Sequence, residues 1–105
     1  YNRANAVRRI LTQDFMKAFE KVDIIVTPTT PDTAFKIGEK TSDPVAMYLE
    51  DIFTVTANLT GMLAITVPCG NSVVDGKKLP LGLQMTAKHG EEDLLFKSGK
   101  EFLGE

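Results

Sequence analysis

The chain has 105 residues, the size of one small domain, and its 43% hydrophobic and 25% charged residues are typical of a globular protein, which argues against a disordered tail or a coiled coil. Its formal charge is −2, and its 12 basic residues form no patch of the kind that binds nucleic acid directly. A single cysteine excludes an internal disulfide, and no apolar run approaches the roughly 18 residues that cross a bilayer.

The first part of the chain predicts a helix, a strand and a loop. Apolar residues recur every three or four positions over residues 4–21, which is typical of an amphipathic helix. Residues 23–27 are rich in β-branched residues and end at Pro28, so they predict a short buried strand. Residues 29–41 lack periodicity and exceed the usual length of a connection, so we expect a loop with a functional role.

The rest of the chain predicts a helix, a hairpin and a last helix. Asp43 and Pro44 suit the start of a helix that extends to Gly61 in about four turns. Residues 64–67 and 81–87 predict two antiparallel strands joined through Asp75-Gly76. Acidic residues 91–93 suit the beginning of a last helix, which Gly99 would weaken by roughly 1 kcal/mol relative to alanine.

The predicted order is helix, strand, helix, strand, strand, helix. It corresponds to an α/β fold with three helices and a small mixed sheet, in one unit that covers residues 1–105. A sheet of three strands leaves long edges exposed, so we expect the margin of a larger sheet and self-association of the chain by itself. The chain opens at Tyr1 without a methionine, and we expect a piece of a longer protein.

Side chains that could carry hydrolysis are few. A catalytic nucleophile needs an adjacent base, and none of the available residues lies in a known nucleophile motif (Ser42, Ser72, Ser98, Cys69 and the only histidine, His89). We expect Ser72 in the hairpin loop and Cys69 in the core, where a free cysteine acts as a small hydrophobic residue. Asp51 lies at the margin of the apolar face of the predicted helix, between Met47 and Val55. Spacing alone leaves two interpretations of Asp51 open, a structural carboxylate at the edge of a core and a binding group.

Four stretches together resemble a known family. They resemble the C-terminal part of the A-type subunit of the glutamyl-tRNA(Gln)/aspartyl-tRNA(Asn) amidotransferases, within the amidase signature family. The resemblance extends over nearly the whole chain and rests on these segments: RRILTQDF leading to DIIVTPTTP, AFKIGE, DP through MYLEDIFT, and VPCG with LPLGLQ.

The resemblance implies an enzyme and its partners. The parent protein would be a carbon–nitrogen ligase component of the bacterial cytoplasm or an organellar matrix. It would hydrolyse glutamine and supply ammonia to a B-type subunit, which uses ATP and Mg²⁺ to amidate Glu-tRNA(Gln), and a C-type subunit would complete the heterotrimer. The family's catalytic Ser, cis-Ser and Lys precede this region, so no catalytic residue, metal or cofactor is assigned to the chain, which is expected to be inactive alone. The resemblance also implies that Asp51 matches the family position that receives the α-ammonium group of glutamine.

Two other functions remain open. One is a general amidase of the same family acting on small carboxamides, for which an α-ammonium receptor would serve no purpose. The other is a stand-alone α/β interaction module that binds a partner by strand addition at an exposed sheet edge.

Overall fold

A computed structural model describes residues 1–38 and 43–105, in which four helices and three strands form an α/β fold. The elements are α1 (Asn2–Phe19), β1 (Ile25–Pro28), α2 (Pro44–Leu49), α3 (Val55–Thr60), β2 (Leu63–Val74), β3 (Lys77–Ala87) and α4 (Glu92–Leu103). The predicted fold class is confirmed. Ser42 and the end of the predicted loop 29–41 lie outside the described residues.

The three strands form one sheet in the order β1-β3-β2. Both neighbouring pairs are antiparallel, so the prediction of a mixed sheet was wrong. The reason is the central position of β3, which separates β1 from β2, the two strands that run in the same direction. The outer edges of β1 and β2 pair with no other strand among the described residues.

The two faces of the sheet differ in chemistry. On one face, α4 packs Leu95 against Val67, Met85 and Ala87, and these four buried residues form the hydrophobic core. Side chains alternate between the two faces along a strand, so the strand residues adjacent to Val67, Met85 and Ala87 point to the opposite face. That second face, which we call the polar face, carries Thr27, Gln84 and Thr66 side by side on β1, β3 and β2, with Gly82 and Thr86 on either side of Gln84 along β3.

The helix predicted over residues 43–61 is interrupted. Asp43 caps α2 as predicted, with its Oδ1 accepting from the backbone N–H groups of Val45 and Ala46 at 3.1 and 3.2 Å, and Gly61 ends α3 with φ +73°. Between the two helices, residues 50–54 form turns, and the N–H groups of residues 50, 51, 52 and 54 donate to carbonyls three residues back in the chain. The Thr54 hydroxyl also donates to the Asp51 carbonyl at 3.3 Å, and such local side-chain bonds compete with helical ones.

The hairpin and the last helix follow the prediction, with longer strands. Asp75 and Gly76 both have positive φ, at 51° and 76°, as the tight turn requires. Strand β2 continues beyond Pro68, where the strand was expected to end, through an irregularity between Pro68 and Asn71. Proline is tolerated there because β2 is an edge strand. Gly99 lies inside α4 against β2, where an added Cβ would come within 3.0 Å of Ile65 Cδ1.

Candidate functional site

Asp51 lies in the turn between α2 and α3, and it is exposed. Its backbone carbonyl accepts from the N–H groups of Thr54 and Val55 at 3.1 and 3.0 Å, and its own N–H donates to the carbonyl of Tyr48 at 3.1 Å. Among the described residues, its carboxylate makes no hydrogen bond or ion pair. The backbone of Asp51 is therefore held on both sides, while its carboxylate is accessible to a ligand.

Apolar side chains around this turn are exposed to an unusual degree. Val45 and Tyr48 are 67% and 70% exposed, and Leu49 and Ile52 are each almost half exposed. Exposed apolar surface next to a charged group is typical of a binding or contact surface. A ligand or a further protein segment that covered this surface would shield Asp51 from water and strengthen its interactions.

A buried amide connects this turn to the sheet. Gln84 is 4% exposed at the centre of β3, and its Nε2 donates to the carbonyl of Phe53 at 2.9 Å. The same carbonyl also accepts from the Thr56 hydroxyl at 3.2 Å. The segment LPLGLQ contains Gln84, but its sequence pattern assigns this residue no role. The available signal was a glutamine inside a predicted strand, with Gly82 and Thr86 as its neighbours on the same face of that strand.

The polar face is packed closely around Gly82. The hydroxyl of Thr29 donates to that of Thr66 at 3.3 Å, across the backbone of Gly82. The N–H of Thr29 also donates to the carbonyl of Gly82 at 3.1 Å, which extends the pairing beyond β1. The Thr27 hydroxyl is buried and has no hydrogen-bond partner among the described residues. These contacts fix the strands beneath the α2–α3 turn.

The other candidate residues do not converge on a catalytic arrangement in the described chain. Ser72 is paired with Leu79 inside the β2–β3 ladder, although it was expected in the hairpin loop. Cys69 is exposed at the irregularity of β2, which contradicts the expectation that it packs in the core. His89 is exposed before α4. Threonine hydroxyls bond mainly to backbone carbonyls, which is a structural use (Thr12, Thr30, Thr54, Thr56 and Thr60).

A groove of about 480 Å³ lies elsewhere on the sheet, and Cys69 and Ser72 contribute to it. Its apolar wall includes Val26 and Leu83, whose side chains point to the face that carries α4. Asp51 therefore belongs to a different surface. Within the described residues, no group of three or more His, Cys, Asp or Glu side chains could hold a metal ion.

No helix in the described part of the chain combines the length and apolar character needed to cross a membrane.

Comparison with known proteins identifies a family. The amidase family profile matches residues 1–96. The chain is 63% identical over 92 residues to the A-type subunit of a glutamyl-tRNA(Gln) amidotransferase of Koribacter versatilis, covering 88% of this chain and 18% of that protein. It is 52% identical over 100 residues to the protein of that name in Acidobacterium capsulatum (95% and 20%), and 50% identical over 102 residues to that of Geobacillus stearothermophilus (97% and 20%). The chain thus spans about a fifth of the length of the curated relatives it matches.

Proposed function

The chain belongs to the amidase family, and on that premise we propose that it is the C-terminal part of the glutaminase subunit of a tRNA-dependent amidotransferase. The longer protein, which we call the parent enzyme, would hydrolyse glutamine and supply ammonia for the conversion of Glu-tRNA(Gln) to Gln-tRNA(Gln). The proposal is supported by identities of 50–63% to proteins that bear the name of the A-type subunit of that enzyme.

The role proposed for this chain is recognition of the substrate through Asp51. An α-ammonium group is a strong donor, and a carboxylate is the acceptor that binds it best. The observation that carries this role is the exposed carboxylate of Asp51 on a backbone held by hydrogen bonds, surrounded by exposed apolar side chains. In the parent enzyme, other segments would cover this surface and form the rest of the pocket.

The test is the Asp51→Asn variant of the parent enzyme. A charge-assisted hydrogen bond is worth roughly 1.5–3 kcal/mol, so its loss should lower kcat/KM for glutamine about ten- to a hundredfold. Asparagine keeps the size of the side chain, and Asp51 is exposed. The melting temperature should therefore stay within about a degree or two, as is usual for surface substitutions.

The control is glutaramate, which is glutamine without its α-amino group. Glutaramate cannot use the contact, so the variant and the parent enzyme should hydrolyse it equally well. Equal losses for both substrates would contradict the proposed role of Asp51. A parent enzyme that already prefers small carboxamides over glutamine would instead be a general amidase of the same family.

We further propose that the catalytic Ser, cis-Ser and Lys of the family lie outside this chain. Ammonia release from glutamine by the chain alone should not exceed a buffer blank, because acyl transfer needs a nucleophile activated by an adjacent base. Turnover that disappears when one residue of this chain is substituted would refute this prediction.

The remaining steps would fall to two partner proteins. The B-type subunit would bind ATP, Mg²⁺ and the tRNA, and the C-type subunit would complete the heterotrimer. The net charge of −2 supports this division, since direct tRNA binding draws on basic residues. Co-purification of the parent enzyme with both partners at defined stoichiometry is the measurement that checks it.

A further inference from the structure

We propose that Gln84 is a positioning residue that holds the α2–α3 turn so that Asp51 faces the substrate. The inference rests on the role proposed above for Asp51 and extends it to a residue that would not touch the substrate. Its basis is the hydrogen bond from Gln84 Nε2 to the Phe53 carbonyl, at 2.9 Å, between residues 31 positions apart in the chain.

The backbone of Gln84 is held firmly within the sheet. It lies on the central strand, which pairs with β1 and β2 on its two sides, and its direct neighbours in register are Thr27 and Thr66. At 4% exposure its side chain is shielded from water, so the amide keeps its partner without competition from solvent. A carbonyl oxygen only accepts hydrogen bonds, so the amide must present its NH₂ group to Phe53.

The turn depends on contacts of this kind because it lacks a continuous helical ladder. N–H groups of the turn donate to carbonyls three residues back in the chain. One example is the bond from the N–H of Ile52 to the carbonyl of Leu49, at 3.3 Å. The two flanking helices have six residues each, which is too short for either to be stable without other contacts. Within the turn, the Asp51 carbonyl accepts from Thr54 and Val55, so Asp51 and Phe53 belong to one hydrogen-bonded unit. Fixing the Phe53 carbonyl to the sheet therefore fixes the backbone that carries the Asp51 carboxylate.

The experiment compares Gln84→Met with the parent enzyme on glutamine and glutaramate. Methionine keeps the length of the side chain and removes the donor. The measured quantity is the ratio of kcat/KM for glutamine to kcat/KM for glutaramate, which does not depend on the fraction of enzyme that is folded. We expect this ratio to fall about five- to thirtyfold, through a rise in KM for glutamine, as loss of one buried hydrogen bond would produce. Gln84→Leu, a second apolar replacement, should behave in the same way.

Thr86→Val is the matched control. Thr86 lies on the same strand and the same face, two residues from Gln84, and it is also 4% exposed. Valine keeps its shape, so this variant reports the cost of removing a buried polar group from the polar face without touching Phe53. The substrate ratio of Thr86→Val should equal that of the parent enzyme.

The double variant Asp51→Asn with Gln84→Met separates the outcomes. If Gln84 acts through Asp51, the double variant should show no lower ratio than Asp51→Asn, because the contact that Gln84 positions is already lost. An unchanged ratio in Gln84→Met, alongside a lowered ratio in Asp51→Asn, would overturn the inference and leave the proposed function standing. An unchanged ratio in Asp51→Asn would overturn both.

Discussion

Gly82 shows how a single residue sets the spacing of the polar face. A Cβ at this position would lie 2.9 Å from both Thr29 Oγ1 and Thr66 Cγ2, and 3.3 Å from Thr29 Cβ. These atoms come from two different segments that are joined by the bond between the Thr29 and Thr66 hydroxyls. Glycine is required here by the close approach of its neighbours.

Gly82→Ala should therefore destabilise the parent enzyme. Overpacking of a well-packed site typically costs about 1–3 kcal/mol, because side chains and backbone must shift to admit the new methyl group. Chemical denaturation gives the change in the free energy of unfolding. Adding Thr66→Ser, which deletes Cγ2 and keeps the hydroxyl, should recover part of the loss. A Gly82→Ala variant as stable as the parent enzyme would show that Thr29 and Thr66 can move apart freely.

At the scale of single residues, local chemistry was predictable and long-range contacts were not. Asp43 as a cap, Gly61 as a helix end and Asp75-Gly76 as a turn follow from preferences within four residues, and the structure confirms all three. The contact of Gln84 with Phe53 joins residues far apart in sequence, and no periodicity carries that information.

Among the elements, α2 depends most on a single cap. It has six residues, none of them buried, and its first N–H groups are satisfied by the Asp43 carboxylate. Helices this short gain little from their own hydrogen bonds, so the cap and Pro44 account for much of its stability. Because α2 leads directly into the turn that carries Asp51, the cap also helps to hold the proposed site.

Asp43→Ala should loosen α2 selectively. Loss of an N-cap side chain costs about 0.5–2 kcal/mol, since the N–H groups of Val45 and Ala46 lose their acceptor. Hydrogen exchange of these two amides should accelerate in the variant, while that of β3 amides should not change. Asp43→Asn keeps an acceptor oxygen and serves as the control. Equal exchange in all three proteins would mean that other contacts hold α2.

The break between α2 and α3 marks the limit of helical periodicity as a guide. Residues from Val45 to Leu59 follow one apolar stripe, so the pattern predicts a single helix. The pattern shows which side chains face an apolar environment. A turn that leaves the same side chains facing that environment does not change the pattern, so the pattern cannot reveal the turn. The hydroxyl of Thr54 bonds locally to the Asp51 carbonyl, whereas the amide of Gln84 bonds to the Phe53 carbonyl from a distant strand. Only the second contact is tertiary, and the apolar pattern carries no information about it.

The molecule as a whole leaves more of its surface accessible to water than a folded monomer of its mass usually does. Its accessible surface is 7736 Å², whereas a folded monomer of 11.5 kDa has about 5,800 Å². Its radius of gyration is 15.9 Å against about 13 Å expected for this length, and its extents are 43 × 42 × 17 Å. A flat body with one small core between α4 and the sheet leaves large apolar surfaces uncovered.

The uncovered surfaces lie on several sides. They include Val7 and Ile10 on α1, Val26 on β1, Tyr48 on α2 and Phe96 on α4. The outer edges of β1 and β2 add backbone groups that no strand of the described chain pairs with. In the parent enzyme, we propose, the remaining four fifths of the length of its relatives would cover these surfaces.

The isolated chain should therefore self-associate. Exposed strand edges pair with one another, and contiguous apolar surface drives association in water. Sedimentation velocity over a concentration series should show species larger than 11.5 kDa that grow with concentration, and calorimetry should show a broad transition of low enthalpy. Replacing Val26, which is exposed on the edge strand β1, by lysine should shift the distribution toward monomer, because an edge lysine opposes strand pairing. A monomer at high concentration with a sharp cooperative transition would show instead that the small core beneath α4 is enough to hold this chain as an independent domain.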